Sequence, residues 1–180
     1  MNTETENNHL VITLSGADKL GLVEQITGRI ADCGCNIEES SVAVMGGRFS
    51  GIVRVSGAWH ALSKLEGQIP ALGTQLGLAI ECQRTGKSER TAAIPYTVEL
   101  VALDQPGIVR NLAAFFARSG INIEGLQSST YFAPHTGSPM TSVIMTVGIH
   151  AKIHIPTLRE DFLDYCDSLN LDATLEPMRG

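Results

Sequence analysis

The chain has 180 residues, 43% of them hydrophobic, and its 19 acidic residues exceed its 13 basic ones, which gives a formal net charge of −6. This length suits one domain or two small ones of roughly 90 residues each, and the apolar fraction suffices for a packed core. The basic residues are scattered and aromatic residues make up only 5%. The composition therefore disfavours direct binding to nucleic acid, which needs clustered positive charge or stacking aromatic residues.

The start of the chain, residues 1–9, is polar and acidic. It has neither the basic nor the apolar part of a secretion signal, and no run in the chain approaches the roughly 20 apolar residues of a membrane helix. We therefore predict a short polar tail at residues 1–9 and no association with a membrane.

The first half of the chain predicts strand, helix, strand, strand, helix and strand, in that order. The helices are indicated by apolar residues at helical spacing, and the turn between the second and third strands by two consecutive glycines. Gly34 suits the left-handed residue just past the end of the first helix, and Pro70 is expected to kink or split the second helix. The strands are predicted at Leu10–Gly16, Asn36–Val44, Phe49–Val55 and Leu78–Gln83.

The second half repeats this order because the chain contains an internal repeat. The segment that begins at Leu10 matches the segment that begins at Tyr96 without gaps, and a constant offset of 86 residues pairs Asp18 with Asp104. The hairpin between its second and third strands is longer, and its last helix is predicted to start at Pro156, a favourable first helical residue. Further strands are predicted at about 121–132, 139–149 and 171–175.

A duplicated βαββαβ unit is typical of the ferredoxin-like sandwich, in which one antiparallel sheet carries two helices on one face. The predicted fold class is therefore α+β, with two such domains in tandem. We predict the first domain at residues 10–83, a polar linker at 84–93 and the second domain at 94–180.

The loop between the first strand and first helix has the same two residues in both units, Asp18 with Gly21 and Asp104 with Gly107. An Asp at this point caps the helix, and a Gly lets the backbone approach another group closely. Such a turn exposes N–H groups at the positive end of a helix, where a carboxylate can bind. The alternative interpretation is that these residues only shape and cap the turn.

Asn36 and Asn122 follow the glycines that end the first helix of each unit. An Asn side chain offers both a donor and an acceptor to an amino acid, although turn formation before a strand explains it equally well. It remains open whether both units bind ligand or whether one binds ligand and the other only pairs. The complete set of predicted ligand-binding residues is Asp18, Gly21, Leu22, Asn36, Ile37, Asp104, Gly107, Ile108, Asn122 and Ile123.

No residue pattern predicts catalysis, a metal site or a cofactor. Acylphosphatases share the predicted fold, but the Arg-bearing glycine loop in which they resemble one another has no counterpart in GADKLG or LDQPG. Cys33 and Cys35 are separated by one residue, unlike the CxxC of redox and zinc motifs, so reduced thiols are expected there and at the other cysteines, Cys82 and Cys166.

Two stretches of the sequence resemble known families. The pattern Asp104-x-Pro106-Gly107-Ile108-Val109, followed by Gly120-Ile121-Asn122-Ile123, resembles the ACT domain, a ligand-sensing βαββαβ module, and the first unit departs from it with Leu20 in place of the proline. The run ADCGCNIEES from Ala31, with SGAW after it, resembles the glycine cleavage system transcriptional repressor family, a tandem of ACT domains of about this length.

The resemblance implies a bacterial cytoplasmic regulator that lacks a DNA-reading motif and acts on a LysR-type activator of the glycine cleavage operon. In ACT domains the ligand lies where the strand–helix loop of one module meets a neighbouring module. Carried over, these loops are Ala17–Leu22 and Leu103–Ile108, with Asn36 and Asn122 expected close by. Glycine is the expected ligand.

Two other classes of function stay open. One is a stand-alone regulatory subunit of an amino-acid enzyme, and the other is a pairing module with no ligand. The sequence leaves self-association into a homodimer open as well.

Overall fold

The computed structural model describes residues 8–86 and 93–178. The chain divides into two compact units, Met1–Glu89 and Arg90–Gly180, each with a hydrophobic core of its own. The first unit consists of β1 (His9–Ala17), α1 (Leu22–Asp32), β2 (Asn36–Met45), β3 (Arg48–Ser56), α2 (Trp59–Leu76) and β4 (Leu78–Thr85). The second consists of β5 (Ala93–Leu103), α3 (Ile108–Arg118), β6 (Asn122–Phe132), β7 (Pro139–His150), α4 (Ile155–Ser168) and β8 (Asp172–Pro177).

Each unit has one antiparallel sheet of four strands, in the order β2-β3-β1-β4 and β6-β7-β5-β8. Alternate residues of β1, Leu10, Ile12 and Leu14, are almost fully buried and belong to one core with the apolar residues of α1 and α2. Burying such a side chain contributes about 1.5–3 kcal/mol. The predicted α+β fold, two ferredoxin-like βαββαβ domains in tandem, is confirmed.

The core of the second unit is centred on aromatic side chains. Phe115 and Phe116 of α3 each lie with ring centroids 5.3 Å from Phe162 of α4, and Tyr165 stacks on Phe115 at 5.4 Å. Such pairs add about 0.5–1.5 kcal/mol beyond the area they bury. This cluster packs the C-terminal half of α3 against α4.

The second helix of the first unit differs from its prediction. Helix α2 runs without a break from Trp59 to Leu76 with Pro70 inside it, so a split at Pro70 is wrong, while a kink there stays a prediction. Pro70 is exposed, and water can satisfy the carbonyl that its missing N–H leaves unpaired on that side. The opposite side holds the helix in place through a buried stripe of Leu62, Leu65, Ile69, Leu72 and Leu76. Burial of this stripe outweighs the roughly 3 kcal/mol that an internal proline costs.

The strands reach into the segments predicted as tail and linker. Strand β1 begins at His9, which lies opposite Thr85, and β4 includes Arg84. Arg84 lies opposite Leu10 in the sheet, and its guanidinium donates to Glu66 on α2, with N–O distances of 2.8 and 2.6 Å. Residues 1–7 of the predicted tail and 87–92 of the predicted linker lie outside the described residues. Within residues 8–86 and 93–178, no helix is both long and apolar enough to cross a membrane.

Candidate functional site

The strand–helix loops of the two units have the same backbone geometry. Gly21 precedes α1 with φ 86°, and Gly107 precedes α3 with φ 95°. Both values lie in the left-handed region that favours glycine. No side chain caps either helix start, so the predicted capping by Asp18 and Asp104 is wrong. Glycine occupies the N-cap position, and the two aspartates lie three residues earlier.

The backbone N–H groups of the two aspartates instead donate hydrogen bonds to the neighbouring β-hairpin of each unit. The N–H of Asp18 donates to the carbonyl of Gly47 at 3.0 Å, and the N–H of Asp104 donates to that of Pro139 at 2.9 Å. The Asp104 carboxylate also accepts a hydrogen bond of 2.5 Å from the hydroxyl of Thr141 on β7. This bond orients the Asp104 carboxylate within the second strand–helix loop.

Each loop opens into a cleft on the helix-bearing side of its sheet. The first cleft has a volume of about 880 Å³ and the second of about 410 Å³. The first is lined by residues 18–24, Thr27, residues 42–44 and Phe49. The second is lined by Asp104, Gln105, residues 107–110, residues 128–130 and Thr141. Both clefts have the right size for a small molecule.

The start of α3 presents unpaired donors to the second cleft. The first hydrogen bond of the helix runs from the N–H of Asn111 to the carbonyl of Gly107, at 2.9 Å. The N–H groups of Ile108, Val109 and Arg110 therefore precede the first bonded donor, and no side chain caps them. They lie at the positive end of the helix dipole, where an anionic group is stabilised. The side chain of Ile108 itself is buried in the core.

The two asparagines lie far from these loops within their own units. Asn36 lies opposite Ser56, which pairs with His9 at the start of β1, whereas Asp18 follows the other end of that strand. Strand β1 has nine residues, so the two sites are on the order of 25 Å apart. Helix α1 runs back along the sheet, so β2 begins at the end of the sheet where β1 also begins, and this explains the separation.

The second unit has the same arrangement. Asn122 lies opposite Gly148, which pairs with Pro95, while Asp104 follows Leu103 at the other end of β5. The predicted proximity of Asn36 and Asn122 to the loops is therefore wrong within either unit. Their neighbours Ile37 and Ile123 are half-buried and pack against the two cores.

The far end of the first unit instead carries a cluster of charges around Glu38. Its carboxylate lies 3.3 Å from His9 Nε2 and 3.3 Å from Arg54 Nη1. A hydrogen bond with Ser56, together with His9 and Arg54, lowers the pKa of Glu38 below its ordinary value. Glu38 therefore pairs with one residue of β1 and one of β3.

The cysteines are free thiols in each of the two units. Burial raises the pKa of Cys35 and Cys82, and raises that of Cys166 to about 11. These groups therefore stay protonated near neutral pH, whereas a nucleophile or metal ligand requires the thiolate.

Sequence reasoning missed the hydroxyl-bearing residues of the second cleft. Ser128, Thr130 and Thr141 lie on the neighbouring strands β6 and β7 and line this cleft. The repeat does carry a signal for the first two. Its 86-residue offset aligns Ser128 and Thr130 with Val42 and Val44, so the two units differ in polarity at these positions.

The duplicated βαββαβ fold and its glycine-capped loops define a tandem ACT-domain protein, and the ACT domain family matches residues 8–83. A glycine cleavage system transcriptional repressor from Escherichia coli (strain K12) is 31% identical over 175 residues, which cover 96% of this chain and 92% of that protein. The chain therefore belongs to the glycine cleavage system transcriptional repressor family.

One solved structure agrees with this assignment, and a second shares the fold. A crystal structure of a protein assigned as a glycine cleavage system transcriptional repressor covers 96% of this chain and 98% of its own, with a TM-score of 0.70 at 25% identity. An unknown protein from Galdieria sulphuraria has a TM-score of 0.76 at 24% identity and covers 97% of this chain and 100% of its own. The second match shows the fold alone.

Proposed function

We propose that this protein is an amino-acid-responsive regulator of the glycine cleavage system, acting in the bacterial cytoplasm by contact with a LysR-type activator and catalysing no reaction. Membership of a family of transcriptional repressors supports the regulatory part. The net charge of −6 supports contact with a protein over direct contact with DNA.

The ligand in this proposal is glycine, bound in the second cleft. The observation that carries it is the open, uncapped start of α3, where Ile108, Val109 and Arg110 have unpaired N–H groups and line the second cleft. A carboxylate there gains charge-assisted hydrogen bonds, each worth about 1.5–3 kcal/mol. After the entropic cost of immobilising the ligand, a Kd between about 1 μM and 1 mM is expected.

The experiment that tests the regulatory part is a reconstituted gel shift. It contains the full chain, the LysR-type activator and a DNA fragment from the glycine cleavage operon at physiological salt. We expect no complex of the chain with DNA alone, a slower-moving complex when the activator is present, and a change in its amount when glycine is added. A salt-resistant, sequence-specific complex without the activator contradicts the proposal.

Two alternatives predict other outcomes of the same experiment. A regulatory subunit of an amino-acid enzyme binds glycine but leaves the activator–DNA complex unchanged. A ligand-free pairing module shows no response to glycine in the gel shift or in calorimetry.

A further inference from the structure

The two clefts occupy the same place in the repeated fold but differ in the chemistry of their sheet walls. The offset of 86 residues places Ser128 and Thr130 of β6 at the positions of Val42 and Val44 of β2. The two valines are 49% and 55% exposed, so they line the first cleft without being part of the core. Hydroxyl groups in one unit thus replace methyl groups in the other.

The strand pairing shows that these side chains face the helices. Ser128 lies opposite Val143, which is fully buried in the core, and Thr130 lies opposite Thr141, which is 7% exposed. Directly opposed residues in an antiparallel pair point to the same face of the sheet. The hydroxyls of Ser128 and Thr130 therefore border the cleft beside α3.

A third position on the neighbouring strand differs in the same sense. Thr141 lies opposite Ala102 in the second unit, and Phe49 lies opposite Gly16, the counterpart of Ala102, in the first. Thr141 holds the Asp104 carboxylate by a hydrogen bond. Phe49 has no group that can hold Asp18 in this way.

From this comparison we infer that Ser128 and Thr130 select a small zwitterion in the second cleft, whereas Val42 and Val44 exclude it from the first, so that each chain binds one glycine. The inference rests on the proposed function. An ammonium group that leaves water needs replacement acceptors, which hydroxyl oxygens supply and valine methyls do not. Glycine has no side chain that gains from an apolar wall, so the valine wall of the larger first cleft offers it little.

The test exchanges the walls and titrates glycine into the full chain by calorimetry. In S128V/T130V the second unit receives the valines that the first unit already accommodates at these positions. We expect one glycine per wild-type chain and at least a tenfold weaker affinity in S128V/T130V. The matched control is V42S/V44T, which changes the same positions of the other unit and should leave the affinity of the wild-type site within a factor of two. Circular dichroism and thermal unfolding confirm that both variants are folded.

The outcomes distinguish a failure of this inference from a failure of the proposed glycine binding on which it rests. Unchanged affinity in S128V/T130V, two equivalent glycines per wild-type chain, or weaker binding in V42S/V44T overturns this inference while glycine binding itself stands. A wild-type chain that binds no glycine overturns the proposed function and the inference with it. A second glycine gained by V42S/V44T supports the inference, because the hydroxyl wall alone then creates a site.

Discussion

The hydroxyl of Thr141 on β7 donates a hydrogen bond to the carboxylate of Asp104, and this bond joins the second sheet to the loop that opens α3. Asp104 is exposed while Thr141 is almost fully buried, so the bond anchors a solvent-facing carboxylate to the core. The loop that we propose for glycine binding is thereby tied to β7 without any ligand bound.

Removal of this anchor should weaken glycine binding. Thr141→Val keeps the shape of the side chain and removes its hydroxyl, so we expect a three- to tenfold higher Kd for glycine and a loss of about 1 kcal/mol in the free energy of unfolding. Thr141→Ser retains the hydroxyl and should keep most of the affinity. Calorimetry and urea denaturation measure the two quantities. Equal glycine affinities for the Val and Ser variants contradict this role.

The glycine at the start of α3 allows a second test with a matched control in the other unit. Gly107→Val places a branched side chain at the mouth of the cleft and strains a residue with φ 95°, at a cost of about 1–3 kcal/mol. Gly21→Val imposes the same strain at φ 86° in the first unit. We expect both variants to fold with similar losses of stability, measured by thermal unfolding, and glycine binding to be abolished only in Gly107→Val. Loss of binding in both variants to the same extent means that strain, and not the ligand site, is responsible.

Asn122 offers a third test, in which no effect is expected. The sequence alone predicts a ligand contact for this residue, whereas the structure places it at the opposite end of β5 from Asp104 within the unit. We therefore expect Asn122→Ala to bind glycine with wild-type affinity in calorimetry. A tenfold loss of affinity in a folded Asn122→Ala protein shows that the asparagine takes part in the site after all.

The ion pair between Arg84 and Glu66 should stabilise the first unit without affecting ligand binding. Arg84 makes a bidentate contact with Glu66, donates to Ser63 at 2.9 Å and lies over the ring of Trp59 at 5.9 Å. We expect Arg84→Ala to lower the free energy of unfolding by about 1–2 kcal/mol in urea denaturation, since the removed partner leaves a half-buried carboxylate unpaired. Arg84→Lys should recover only part of this loss because it lacks the forked geometry. Full recovery by lysine indicates a simple charge effect.

The lowered pKa of Glu38 predicts how the stability of the first unit depends on pH. Its pKa lies below the ordinary value of 4.5, chiefly because of the hydrogen bond with Ser56. A carboxyl whose pKa is lower in the folded state stabilises the fold above its unfolded pKa and loses this effect as the pH falls through the folded value. We expect wild-type stability to fall below about pH 4.5 and Glu38→Gln to flatten part of that decline. Parallel pH profiles for the two proteins in urea denaturation contradict this assignment.

Much of the fold could be predicted because the sequence is duplicated. A glycine at position 34, just past a run of apolar residues at helical spacing, indicated the end of α1, and the structure gives it φ 77° as the prediction requires. The same pattern at Gly120 ends α3. A split at Pro70 was predicted although the apolar stripe is visible in the sequence, because periodicity alone does not show how completely that stripe is buried on the other side of α2.

The site was less predictable because it depends on strand register. Asp104 and Gly107 lie only three residues apart in sequence, and the repeat reveals them directly. Ser128 and Thr141 meet the start of α3 only because β6 and β7 pair in one particular register. Neither composition nor periodicity specifies that register, and a shift of one residue turns every hydroxyl to the other face.

The most direct test of the account is a glycine titration of the uniformly ¹⁵N-labelled full chain, followed by amide chemical shifts. We predict saturable shifts at the amides of Ile108, Val109 and Arg110, at the start of α3, with none at the corresponding amides 22–24 of α1. Shifts that are absent, or that appear at the start of α1 and spare α3, contradict the proposal that the second strand–helix loop is the glycine site.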